Sequence, residues 1–198
     1  MNAWNAFEIP LLDALQNLRC GVMDTIQVAV TSLDYKGIVW ILLAVVLLFF
    51  RKTRKAGLMI GLAMTLGLAI GNGVFKNVME RIRPYDVNEA MRSQLLIAPL
   101  TDFSFPSGHA LSSFEAAGVL MMTHRKTLGW PSLVLAVLIA FSRLYLYVHY
   151  PSDVLAGALL GLLFALIAVL AVNRIERAIL GSRAKKAGAE NEQKEQAE

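Results

Sequence analysis

Long runs without a charged residue dominate the chain. Residues 37–50, 56–75, 130–142 and 154–172 contain no acid or base, and the third run continues to 148 interrupted only by Arg143. These approach or reach the ~20 apolar residues that a membrane-spanning helix needs. A fifth segment, 107–123, is apolar apart from His109 and Glu115 and predicts a bundle helix with a polar face, since polar groups in such segments turn inward. The start of the chain is patterned differently. Trp4, Phe7, Leu11, Leu15 and Leu18 recur at spacings of three and four, with Asn5, Glu8, Asp13 and Asn17 between them. This is an amphipathic stripe suited to the interface plane. Residues 22–33 hold Asp24 and Gln27 and are too short to span alone, so 1–33 reads as an amphipathic or marginal first helix. No Lys or Arg precedes Arg19, so a secretory signal peptide is not expected. The pattern predicts an all-α, polytopic membrane bundle of five to six helices, one domain over 1–180. The tail at 181–198, rich in Ala, Glu, Gln and Lys without an apolar stripe, predicts a disordered cytoplasmic end.

Composition agrees with this class. Of 198 residues, 56% are hydrophobic and only 17% charged, against averages of roughly 45–50% and 25%. Disordered, collagenous, coiled-coil and disulfide-scaffold classes are excluded by those values, and Cys20 is a lone cysteine. The net charge of +4 does not indicate nucleic acid, because the surplus is placed by topology. Arg51, Lys52, Arg54 and Lys55, then Arg125 and Lys126, then Arg174, Arg177, Arg183, Lys185 and Lys186 fall in alternate connections and the tail. The positive-inside rule makes those places cytoplasmic, which puts 80–106 and 150–153 on the outer face of the cell membrane.

Three clusters reach that face. Lys76 closes one apolar run, and Arg83-Pro84 follows seven residues later; both cations suit an anion, or simply snorkel to the interface. Pro84 disfavours helix at Arg83. Phe105-Pro106-Ser107-Gly108-His109 opens an apolar helix, where a capping Ser, a Gly and free N–H groups make an anion site or a plain N-cap. In the third, Arg143 interrupts an apolar helix and Asp153 lies four residues beyond His149. A carboxylate holding one ring N–H fixes the imidazole tautomer and frees the other nitrogen, or the two side chains share a metal. His124, beside Arg125 and Lys126, reads as a solvated loop residue. Gly157 and Gly161 offer a close helix contact, within the bundle or between subunits.

Together the three clusters resemble the phosphatidic acid phosphatase type 2 superfamily, which shares its site design with vanadium haloperoxidases. The family pattern is Lys, six residues, Arg-Pro; then Pro-Ser-Gly-His; then Ser-Arg, five residues, His, three residues, Asp. It is matched without a gap by Lys76 with Arg83-Pro84, by residues 106–109, and by Ser142-Arg143 with His149 and Asp153. The resemblance implies a nucleophilic His149 that forms a phosphohistidine, an Asp153 that orients it, and a His109 that protonates the leaving oxygen and then activates water. It implies that Lys76, Arg83, Ser107, Gly108 and Arg143 hold the phosphoryl oxygens, with no metal and no cofactor. The partners it implies are a membrane lipid phosphate and the bilayer. Short members resemble undecaprenyl diphosphate phosphatases of cell-wall carrier recycling; phosphatidic acid or phosphatidylglycerol phosphate is the alternative substrate. A transporter that captures anions explains the three cations but not the pairing of His149 with Asp153.

Overall fold

The computed structural model describes residues 3–195, with side chains over 7–185. Among the described residues it is helical, with no strand. The order is α1 (Ala3–Gln16), α2 (Gly21–Leu33), α3 (Ile38–Phe49), α4 (Arg54–Leu66) and α5 (Lys76–Met79), then α6 (Pro84–Val87), α7 (Glu89–Arg92), α8 (Gly108–Thr123), α9 (Trp130–Tyr145) and α10 (Pro151–Glu195). A π-helical stretch, Gly67–Phe75, joins α4 to α5 without a break. Four helical stretches are long and apolar enough to cross a membrane: Gly21–Phe49, Arg54–Val87, Arg125–Tyr145 and Pro151–Lys185. The protein is therefore a multi-pass membrane protein, and its exposed Ile41, Leu42, Val45, Leu159 and Leu166 present the apolar belt that lipid requires.

The N-terminal third differs from expectation in one respect. Residues 1–33 do not form one first helix: α1 ends at Gln16, and α2 and α3 together make one broken span. The break falls at Lys36 and Gly37, both left-handed with φ of 53° and 77°. It leaves the buried Asp34 inside the bundle, where its carboxylate accepts the hydroxyls of Ser112 (3.0 Å) and Ser113 (3.3 Å) of α8. A half-length apolar helix cannot traverse ~30 Å alone, so two are stacked end to end. Helix α1 stays outside this span. At the other terminus, the chain continues as helix to Glu195 where a disordered tail is expected from composition. Ala, Lys, Glu and Gln are strong helix formers, and a helix already running propagates into them cheaply. Residues 196–198 lie outside the described residues.

Helix α8 is the hub, flanked by α3, α4, α9 and α10. Its Ala116, Ala117, Val119 and Leu120 meet Trp40 and Leu47 of α3, Ile60 and Ala63 of α4, Ile139 of α9 and Ala165 of α10 in the main core. The approach of α10 to α8 is set by Gly157 and Gly161. A Cβ at Gly157 would stand 2.6 Å from the Ser107 carbonyl oxygen, and one at Gly161 2.6 Å from that of Leu111. Both glycines thus serve a contact within the bundle. A second core of Leu12, Tyr85, Tyr145, Leu146, Tyr147, Val148 and Tyr150 ties α1 to the connections at the end of the bundle where α8 begins.

Gly161→Leu is expected to force α10 off α8 and to cost about 1–3 kcal/mol, as overpacking does. Thermal unfolding in detergent measures it. Gly61→Leu, at a position with no atom within 4 Å of an added Cβ, is the control that leaves the midpoint in place.

Candidate active site

One end of the bundle gathers the three motif clusters. Helix α5 stops at Met79 because Glu80 turns left-handed, and Arg83 is extended ahead of Pro84, which opens α6. Lys76 and Arg83 therefore do not share a helix face; the chain bends and both side chains are drawn to Asp102. The Lys76 ammonium pairs with one Asp102 oxygen, and Arg83 Nη2 donates to the other at 2.7 Å. Lys76 Nζ also donates to the Phe103 carbonyl (3.2 Å), and Arg83 Nε to that of Asp102 (2.9 Å). Burial works against the Asp102 charge, but Lys76 and Arg83 outweigh it and hold the carboxyl at about 2. Two cations bridged by two carboxylate oxygens are spaced to bind the oxygens of an oxyanion.

The imidazole of His149 lies in the connection between α9 and α10, almost wholly buried. Arg83 Nη1 donates to the Val148 carbonyl (2.7 Å) and stands 3.3 Å from His149 Nε2. On the other side, His149 Nδ1 is 3.6 Å from Asp153 Oδ2 and 3.4 Å from Ser104 Oγ. Asp153 is fully buried: Oδ2 accepts the Ser104 hydroxyl and the Tyr150 N–H (2.9 Å), while Oδ1 accepts Arg81 Nη1 (2.6 Å). An acceptor-only carboxylate behind Nδ1 favours the Nδ1–H tautomer, which leaves the Nε2 lone pair directed at the cations. Burial pushes His149 down to about 3, opposed by Asp153 and reinforced by Arg83 and Arg143. This favours the neutral ring.

Ser107 caps α8: its backbone N–H donates to the Asp153 carbonyl (3.0 Å), and its hydroxyl accepts from Ala110 N (3.5 Å). Gly108 and His109 follow in the first turn. Arg143 is buried in α9, with Nη1 donating to the Thr31 hydroxyl and no partner for Nε among the described residues. Lys76, Arg83, Asp102, Gly108, His109, Arg143 and His149 line one cavity of about 1120 Å³. Ser107 and Asp153 stand behind its wall. Of the eight residues singled out by sequence, six face one space and two support them. Each Asp153 oxygen accepts from a protein donor. Among the described residues no three His, Cys, Asp or Glu side chains form a metal-holding group.

Sequence reasoning missed Asp102, Ser104, Arg81, Glu8 and Asp34 as parts of this site. The first three sit in a loop of mixed charge that looks merely solvated; only the cost of burying Lys76 and Arg83 near one another signals that an acid must join them.

The fold and the site together define a class: a helical membrane protein with a buried cationic pocket facing an oriented imidazole. The chain belongs to the PAP2 superfamily, whose family model matches residues 54–177. It is 40% identical over 123 residues to an undecaprenyl-diphosphatase of Sulfolobus acidocaldarius, covering 62% of this chain and 58% of that one. It is 31% identical over 142 residues to undecaprenyl-diphosphatase BcrC of Bacillus subtilis, covering 72% and 71%. The crystal structure of a transmembrane PAP2-type phosphatidylglycerolphosphate phosphatase from Bacillus subtilis superposes with a TM-score of 0.69 at 26% identity, over 90% of this chain and 89% of that one.

Because the Asp102 carboxyl lies below its ordinary value of 3.8, its charge contributes stability that is complete above about pH 4 and is lost as pH falls toward 2. The difference in thermal midpoint between wild type and Asp102→Asn is expected to be present at neutral pH and to shrink over that acid window.

Proposed function

We propose that the protein is a metal-independent lipid phosphatase of the cell membrane that hydrolyses a phosphate or diphosphate ester through a phosphohistidine on His149. The observation that carries the reading is the shape of the cavity. From the cationic end it continues between α3 and α4 as an apolar groove lined by Ala44, Val45, Leu48, Leu58, Gly61 and Leu62. A phosphate held by Lys76, Arg83 and Arg143 thereby leaves its lipid tail in hydrocarbon surroundings.

His149 Nε2 attacks phosphorus while Asp153 steadies the ring. His109, at the N-terminal turn of α8, protonates the departing oxygen and then takes a proton from the water that cleaves the phosphorus–nitrogen bond. Lys76, Arg83, Arg143 and the Gly108 N–H, with Ser107 capping α8 behind them, stabilise charge on the equatorial oxygens, which is where phosphoryl transfer draws most of its catalysis. The lead substrate is undecaprenyl diphosphate, in line with the names of the relatives at 40% and 31% identity. Phosphatidylglycerol phosphate is the second reading, favoured by the likeness in fold to the Bacillus subtilis phosphatidylglycerolphosphate phosphatase. The positively charged connections lie at the opposite end of the bundle, so by the positive-inside rule the site faces outward and the C-terminus is cytoplasmic.

Phosphate release by the purified protein from undecaprenyl diphosphate, phosphatidic acid and phosphatidylglycerol phosphate, each with and without EDTA, tests the assignment. Activity unaffected by EDTA and highest on the polyprenyl substrate is expected; preference for a glycerophospholipid overturns the lead, and loss with EDTA overturns metal independence. His149→Ala is expected to abolish turnover, and His109→Ala to lower kcat by about 10²–10⁴-fold. The rate requires a neutral nucleophile and a protonated donor, so its pH profile is expected to be bell-shaped. Gly61→Trp fills the groove where an added side chain meets open space. It is expected to suppress hydrolysis of long-chain substrates while sparing p-nitrophenyl phosphate.

A further inference from the structure

We propose that Arg81, clamped by Glu8 of α1, is a positioning residue that holds Asp153 against His149, which makes the N-terminal helix part of the catalytic apparatus. The inference rests on the phosphatase reading above. Arg81 belongs to none of the three motif clusters. It lies in the non-helical stretch between α5 and α6, inside the spacer between Lys76 and Arg83, yet it meets Asp153 directly. Its Nη1 donates to Asp153 Oδ1 (2.6 Å) and to the Ser152 hydroxyl (2.6 Å). Its backbone carbonyl accepts from Ser104 N (2.8 Å), and the Ser104 hydroxyl donates to the other Asp153 oxygen. One Asp153 oxygen is thus held by the Arg81 side chain, and the other by the Tyr150 N–H and by a Ser104 hydroxyl that the Arg81 backbone places.

Arg81 is fixed in turn from α1. Its Nη2 pairs with one Glu8 oxygen, and the other Glu8 oxygen accepts the Ser152 N–H at 2.7 Å. The guanidinium lies 3.9 Å over the Tyr150 ring. Helix α1 is itself pinned to the same connection by the Tyr147 hydroxyl on Asp13 (2.6 Å), by Gln16 on the Tyr145 carbonyl (3.2 Å), and by the buried Leu12. An acid, a base, an acid and an imidazole therefore run in line from the amphipathic helix to the proposed nucleophile. The planar guanidinium spans Glu8 through Nη2 and Asp153 through Nη1 at a fixed angle, which a single ammonium does not.

A double-substitution cycle on kcat and KM tests this. Arg81→Gln is expected to lower kcat by about 10–100-fold with KM within about threefold, because the phosphate-facing cations remain. Glu8→Gln should lower kcat less, and Arg81→Lys should restore only part of the loss. If Arg81 acts through Asp153, Arg81→Gln added to Asp153→Asn costs nothing further. Additive losses, unchanged kcat, or full rescue by Arg81→Lys overturn the proposal. Should wild type hydrolyse no lipid phosphate, the phosphatase reading falls and positioning is read from ¹⁵N-histidine NMR, the chain having three histidines. The Nδ1–H form of His149 is then expected in wild type and a mixture of tautomers in Arg81→Gln; an unchanged tautomer overturns positioning as well.

Discussion

Cations buried in an apolar bundle must be met by anions or acceptors, and the architecture of this protein follows from that demand. An unpaired charge in such a place costs more than most single contacts can return. Lys76 and Arg83 leave the end of a spanning helix and are answered by Asp102 from the following loop. Arg143, nearly fully buried in α9, is answered by Thr31 across the break in the first span. Asp153, fully buried at the head of α10, is answered by Arg81. Each pairing joins segments far apart in the chain, so satisfying the charges also folds the 80–107 loop and α1 over the end of the bundle.

The same pairing prepares the site for its proposed chemistry. Side chains held by carbonyls and carboxylates do not have to reorganise as charge develops on a bound phosphoryl group. The glycine-mediated crossing of α8 and α10 brings Ser107 N onto the Asp153 carbonyl, which couples the N-terminus of α8 to the residue behind the imidazole. Packing deep in the bundle and geometry at its end are in this way one problem.

Much of this was legible in the linear chain. Charge-free runs bound the spans because only a continuous apolar helix is tolerated in hydrocarbon. The motif residues were legible because Arg143 and His109 interrupt apolar helices, an expense that marks function. The partners that hold them were not. Asp102, Arg81 and Ser104 sit among other loop charges and hydroxyls, and nothing in their spacing separates a buried clamp from a solvated side chain. The stacking of α2 on α3 was equally hidden, because Gly37 allows a left-handed turn without requiring one, and the left-handed Lys36 beside it follows from tertiary fit.

Periodicity and charge distribution are local properties, and they suffice for the later spans and for the motif residues gathered at one end, but not for the broken first span or the helical tail. Which acid answers which cation is decided only when distant segments are brought within a few ångströms, since ion pairs in a dry interior depend on distance and orientation that no spacing encodes. Asp102 between Lys76 and Arg83, and Arg81 between Glu8 and Asp153, exist only in the folded bundle.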